Sequence, residues 1–159
     1  MTRYDQTAPS TPGEAGRVIH FLGNNEIRVL VSGHESDDAF ALMELTVQPR
    51  GGATALHTDR WVEVFHVLDG EVEWTIERDG RLDTWIAGPG ETICVPRGTK
   101  HRFAGAGDRP SRMLTIGTPQ YEQFFRALGA AWTGPYDRDR TPRAVGPVFA
   151  RFGMELCQV

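Results

Sequence analysis

Turn-forming residues interrupt this chain too often for a helical fold. From Arg17 onward, short apolar runs are separated by Gly23-Asn24-Asn25, Pro49-Arg50-Gly51-Gly52, Asp69-Gly70, Asp79-Gly80, Gly88-Pro89-Gly90 and Pro96-Arg97-Gly98. Glycine and asparagine tolerate positive φ and proline presets φ, so each group marks a reversal of the chain. The runs between them read as strands at Val18–Leu22, Glu26–Ser32, Ala39–Gln48, His57–Asp59, Glu63–Asp69, Glu71–Arg78, Leu82–Ile86, Thr92–Val95, His101–Ala104 and Arg112–Ile116. Both Asp-Gly pairs sit between alternating runs and predict hairpins. So many short strands predict an all-β antiparallel sandwich or barrel.

Alternation also sets facing. In Glu71-Val72-Glu73-Trp74-Thr75-Ile76-Glu77 the acids fall on one side, and Val72, Trp74 and Ile76 point to the interior. After Pro119 the period lengthens to that of a helix, with Tyr121, Phe124, Phe125 and Leu128 on one face and Gly129 as its C-cap. A second helix is expected from Thr141-Pro142, with Val145, Phe149 and Phe152 apolar and an end near Gly153, although Gly146-Pro147 disfavours its early part. The expected organisation is a flexible polar arm over 1–16, a β-domain over 17–118 and a helical extension over 119–159 packed on it.

Composition excludes several classes. The 159 residues suffice for one domain with its own core. Seventeen basic against 21 acidic residues, a net charge of −4, argue against nucleic-acid and anionic-membrane partners. Cys94 and Cys157 show no Cys-x-x-Cys spacing, which removes a disulfide framework and a thiolate zinc cluster; Cys94 is expected to pack. Met1–Gly16 lacks the apolar core of a secretory signal, and the longest apolar run, Ala39–Met43, is far too short to span a bilayer. A cytoplasmic location is the expectation.

Chemistry-bearing residues gather in Leu56-His57-Thr58-Asp59-Arg60-Trp61-Val62-Glu63. His57, Asp59 and Glu63 share parity, so on extended chain they project toward one side, which Phe65 and Val67 continue as apolar. A histidine and two carboxylates on an inward face are costly to bury unless paired or bound to a cation. His101 follows the turn at Pro96-Arg97-Gly98 and has the parity of Phe103. Imidazole with carboxylate suits Fe(II), Mn(II), Ni(II) or Zn(II). Elsewhere the bland readings prevail: His66 faces outward, His20 and His34 are surface or packing residues, Glu44 lies on a strand's wet face, and Arg138-Asp139-Arg140 is solvated charge. Met43, Phe65, Trp74 and Phe103 are core residues that could also line a substrate pocket for a flat aromatic ligand.

These residues fall into two spaced motifs. Gly51-x5-His57-x-Asp59-x3-Glu63-x6-Gly70 resembles the first motif of the cupins, and Gly90-x5-Pro96-x-Gly98-x2-His101 resembles the second. The resemblance runs from about Val18 to Phe152 and is nearest to single-domain cupins of the quercetin-dioxygenase-like group. It implies a cupin jelly-roll β-barrel with one or two C-terminal helices, and one divalent metal per chain held by His57, Asp59, Glu63 and His101. Two positions depart from the family pattern: Asp59 stands where a second His is usual, and Gly105 where Asn is usual. Two carboxylates make the set harder, favouring Fe(II), Mn(II) or Ni(II) over Zn(II); the alternative reading of the same change is a lost metal site.

The resemblance further implies a dioxygenase acting on a small aromatic, polyphenolic or enol-type substrate, with Glu63, or Asp59 if it is not a ligand, as general base. A redox-neutral cyclase, isomerase or lyase of secondary metabolism is the alternative, since two carboxylates of different pKa suit acid/base work. A non-catalytic metabolite binder is the third. The expected partners are a small-molecule substrate and, through the N-terminal arm and first strand, a second copy of the chain in a homodimer.

Overall fold

The computed structural model describes residues 18–52, 55–135, 137 and 139–157. Eleven strands precede, surround and follow two helices: β1 (Val18–Phe21), β2 (Asn25–Val31), β3 (Ala41–Val47), β4 (His57–Thr58), β5 (Glu63–Asp69), β6 (Val72–Arg78), β7 (Arg81–Ala87), β8 (Thr92–Val95), β9 (His101–Gly105), β10 (Ser111–Gly117), α1 (Pro119–Ala131), α2 (Arg140–Phe152) and β11 (Glu155–Leu156). They form two sheets, ordered β1-β2-β3-β10-β5-β8 and β11-β4-β9-β6-β7, with antiparallel pairing between neighbouring strands. This is a jelly-roll β-sandwich with two C-terminal helices. The expected N-terminal arm, 1–16, lies outside the described residues.

The alternation read from the sequence is the alternation seen. Met43, Leu45 and Val47 of β3, Phe65 and Val67 of β5, and Val72 and Trp74 of β6 have no exposed surface and meet between the sheets. Trp74 packs on Phe65 (ring centroids 4.8 Å) and on Phe103 (5.0 Å), an aromatic block joining both layers. Glu44 faces outward, half-buried, 3.4 Å from the Arg112 guanidinium. Cys94 is a correction: it shares the outward parity of β8 and is exposed, while Ile93 and Val95 carry the packing.

The two Asp-Gly turns differ. Asp79-Gly80 links the paired strands β6 and β7, with both residues at positive φ (49° and 74°) as a two-residue hairpin requires. Asp69-Gly70 is not a hairpin, because β5 and β6 belong to different sheets. Gly70 (φ 79°) turns the sandwich corner directly against Ser111, where a Cβ would come within 2.8 Å of the Ser111 Cα. Local turn chemistry is the same in both cases; the packing of Ser111 decides the topology.

Helix boundaries shift for similar reasons. Gly129 is not the cap of α1, which continues to Ala131; it lies against β1, where a Cβ would come 2.6 Å from Ile19 and 2.8 Å from the His20 carbonyl. α2 begins at Arg140 rather than after a Thr141 cap. The Asp137 carboxylate accepts the amides of Asp139 (3.0 Å) and Arg140 (2.7 Å), doing the capping expected of Thr141, whose hydroxyl accepts the Asp137 amide instead (2.8 Å). α2 runs through Pro147 and ends at Gly153 in the left-handed conformation (φ 68°). The chain then returns to the sandwich as β11, a strand inside the region expected to be helical. No helix among the described residues is long and apolar enough to cross a membrane.

Candidate metal centre

Two sheets supply the site. His57 on β4 and His101 on β9 are register partners, and their rings lie 4.3 Å apart. Asp59 follows β4, and its carbonyl is held by the Gly98 amide (2.8 Å) from the turn that leads to His101. Glu63 opens β5 in the other sheet, so the chain crosses between the layers over residues 60–62. Glu63 thus reaches the site by this crossing between sheets rather than along one extended face shared with His57 and Asp59. His57, Asp59, Glu63 and His101 are each no more than 6% exposed.

Hydrogen bonds fix the orientation of each imidazole. Nδ1 of His57 lies 2.8 Å from the Ala55 carbonyl, and Nδ1 of His101 lies 3.0 Å from the Thr99 carbonyl. A carbonyl only accepts, so each Nδ1 carries the proton and each Nε2 turns a lone pair inward. There the His101 Nε2 meets Oε2 of Glu63 at 3.1 Å and Oδ2 of Asp59 at 3.5 Å, while the His57 Nε2 lies 3.8 Å from Asp59 Oδ2. The other oxygen of Glu63 accepts the Trp61 indole N–H at 3.1 Å. The Thr115 hydroxyl donates to the Tyr121 hydroxyl at 3.3 Å.

Both oxygens of Asp59, Oε2 of Glu63 and Nε2 of His101 are buried without a hydrogen-bond partner. Lone pairs facing lone pairs at these distances repel unless a positive charge sits among them. Burial shows in the acid–base behaviour. Desolvation raises Asp59 to about 7, with the neighbouring Glu63 carboxylate adding to it. Desolvation likewise raises Glu63 to about 7. It lowers both histidines, His57 further through the adjacent His101. Neutral imidazoles and a carboxylate are metal ligands in their binding forms, and the ligand atoms of His57, Asp59 and His101 all lie within 4.8 Å of one another. This group can hold a metal ion, and its N/O donors suit the divalent transition metals expected from the sequence.

His57, Glu63 and His101 form the floor of a cavity of about 370 Å³, within the range of small-molecule sites. Of the expected pocket residues Met43, Phe65, Trp74 and Phe103, only Phe103 lines it. This is a correction with a packing cause: the other three interlock between the sheets with no exposed surface. The apolar wall comes instead from Phe21, Tyr121, Phe124, Phe125, Val145 and Phe149. The sequence had announced the α1 stripe as a helix face, without saying that the face covers a hollow. Trp61, inside the first motif, was missed altogether.

The departure at Gly105 also has a physical cause. The loop after β3 lies on it through a parallel bridge from Pro49, and a Cβ at Gly105 would come 2.5 Å from the Gln48 carbonyl.

A family model described as "Cupin domain" matches residues 43–117. The match covers a little under half of the chain. No curated protein matches the sequence. Among solved structures, one of the DMSP lyases RdDddP and RnDddQII is similar (15% identity, TM-score 0.52, over 62% of this chain and 49% of that one). So are Fe(II) HppE (15%, 0.54, 71% and 60%) and a B. subtilis oxalate decarboxylase (19%, 0.54, 63% and 26%). The chain therefore spans about half the length of the first of these proteins and about a quarter of the last. At such identities the likeness is one of fold.

Proposed function

We propose that this cupin is a metal-dependent enzyme, and that its reaction is oxygenation of a small aromatic, polyphenolic or enol-type substrate bound under the α1/α2 cap. One observation carries the reading: buried, partnerless lone pairs of Asp59, Glu63 and His101 gather where Glu63 and His101 line an apolar cavity. Such a floor is costly in a protein that only packs, and useful in one that binds a cation beside a substrate. A bound Fe(II), Mn(II) or Ni(II) ion would supply Lewis acidity toward a substrate oxygen and, in an oxygenase, access to dioxygen chemistry.

The chain's own residues do the rest. His57, Asp59 and His101 hold the ion. Glu63, anchored by the Trp61 indole, keeps one oxygen free to take the proton of a substrate hydroxyl. The walls of Phe124, Phe125 and Phe149 exclude water from the activated substrate. A redox-neutral isomerase, cyclase or lyase is the second reading, and it draws on the pair Asp59 and Glu63. Both sit near 7, where a carboxyl can give and regain a proton at neutral pH.

The test is anaerobic purification with metal analysis, then turnover of candidate phenols and enols with and without oxygen. Metal near one equivalent and oxygen-dependent product, both abolished in His57→Ala, support the oxygenase. Equal turnover without oxygen moves the assignment to the redox-neutral class. Ligand binding with no metal at any loading condition would leave a metabolite binder.

A further inference from the structure

The cavity has a second polar end. Strand β9 serves as a ruler: His101 is its first residue and Gly105 its fifth, so their Cα atoms lie about 13 Å apart at ~3.3 Å per residue. The Arg50 amide donates to the Gly105 carbonyl at 3.0 Å, and Gly105 in turn donates to the Gly51 carbonyl at 3.0 Å. Arg50 is thus clamped at the rim, with Phe103 between it and the floor, and both Arg50 and Phe103 line the cavity.

Three features single out Arg50. Histidines aside, it is the one basic residue among the described residues that line the cavity. Arg28, Arg109, Arg112 and Arg126 each hold a carboxylate within 3.7 Å, whereas the exposed Arg50, like Arg60, Arg97 and Arg143, has no such partner among the described residues, and of these unpaired arginines it alone lines the cavity. Its backbone stands at φ 58°, a left-handed conformation that glycine adopts freely and arginine does not. An unpaired guanidinium held in a strained conformation at a cavity mouth is placed for a ligand rather than for the fold. The floor needs that help, because two carboxylates neutralise a divalent ion and leave no net attraction for an anion.

We propose that Arg50 is the anion-recognition residue of this cavity, and that its ligand is a carboxylate with an apolar, ring-sized body. The carboxylate sits at Arg50, the body lies along Phe103 and the α1/α2 wall, and an oxygen-bearing end reaches His57, Glu63 and His101. The last clause rests on the floor being the reacting end, as proposed above; the recognition of the carboxylate does not.

The experiment uses the full chain stripped of metal with a chelator, and follows the fluorescence of two probes, 6-hydroxy-2-naphthoate and its methyl ester. The acid is expected to bind about tenfold or more tightly than the ester, as a charge-assisted contact implies. Arg50→Gln and Arg50→Gly should erase that preference and leave ester affinity within about twofold; the glycine variant also relieves the φ strain, so it folds readily. Equal binding of acid and ester by the unmodified protein overturns the proposal. So does failure of both probes to bind, or an equal loss of both in the Arg50 variants. Metal content is measured in parallel. A chain that never loads metal but keeps the acid preference defeats the enzyme reading alone, and one that loads metal without the preference defeats this one alone.

Discussion

One sandwich contains a filled half and a hollow half. In the filled half, Phe65 and Trp74 have no exposed surface and stack on each other and on Phe103, the ring at the border with the cavity, at centroid distances of 4.8–5.6 Å. In the hollow half, β4, β9 and the start of β5 turn His57, His101 and Glu63 toward the same interior, and a cavity of about 370 Å³ opens under the helices. Both halves obey one alternation of inward and outward residues. What differs is whether the inward residues can satisfy each other. Aromatic rings can, through dispersion and area burial; imidazole and carboxylate lone pairs cannot, so the structure leaves them facing a space that something else must enter.

The strongest way to break this contrast is to remove a ligand. His101→Ala should lower metal affinity by more than about 100-fold, since changes merely behind a ligand already cost 10–100-fold. Trp61→Phe, which deletes the indole donor to Glu63, should fall in that lower range. Equilibrium dialysis with Mn(II) or Fe(II) measures both, and full metal occupancy in His101→Ala would dissolve the distinction between the halves. Next in size are truncations of the walls. Trp74→Ala empties a fully packed site and should cost about 3–5 kcal/mol in denaturant unfolding. Phe124→Ala should cost less than about 3 kcal/mol, because one side of that ring already borders a cavity. Equal losses would mean that the hollow half is packed as tightly as the filled one.

A pH experiment sharpens the same point. Without metal, Glu63 has a folded pKa of about 7 against an ordinary 4.5. Between those values the folded protein binds more protons than the unfolded chain, so stability falls as pH rises from about 4.5 and levels off above about 7. Glutamine does not titrate. Metal-free Glu63→Gln should therefore be more stable than the parent at pH 8, by an amount on the order of 3 kcal/mol, and the gap should close toward pH 4. The Glu63 carboxylate also helps to raise Asp59, so removing it relieves Asp59 as well and adds to the difference in the same direction. With metal bound the order should invert, because the ion stabilises only the native protein that holds it well.

The sequence carried most of the sandwich, because strand alternation and turn chemistry are local signals. Ten strands were legible from them within a few residues. The eleventh, Glu155–Leu156, was not, since a two-residue pairing with His57 and Thr58 has no local signature. The hairpin expected at Asp69-Gly70 failed for the same reason: Ser111, forty residues away, sets the corner. His57, Asp59, Glu63 and His101 were visible as two spaced motifs, whereas the cavity beside them was not. Met43, Phe65 and Trp74 look as suitable for a pocket wall as Phe124 and Phe149 do. Only three-dimensional packing tells which aromatic residues meet each other and which meet a void.

The smallest predicted effect comes from charges at the same separation in a different medium. Arg112 and Glu44 lie 3.4 Å apart on the outer face of the first sheet; His101 and Asp59 lie 3.5 Å apart inside. Outside, water solvates each partner when the other is removed, so Arg112→Ala should cost less than about 1 kcal/mol and still less in 1 M salt. Inside, no water reaches either group, and desolvation drives Asp59 to about 7. A large, salt-insensitive loss in Arg112→Ala would show that the outer face also carries structural charge. The buried quartet would then no longer be set apart by its environment, and the case for a cation among its lone pairs would have to rest on metal analysis alone.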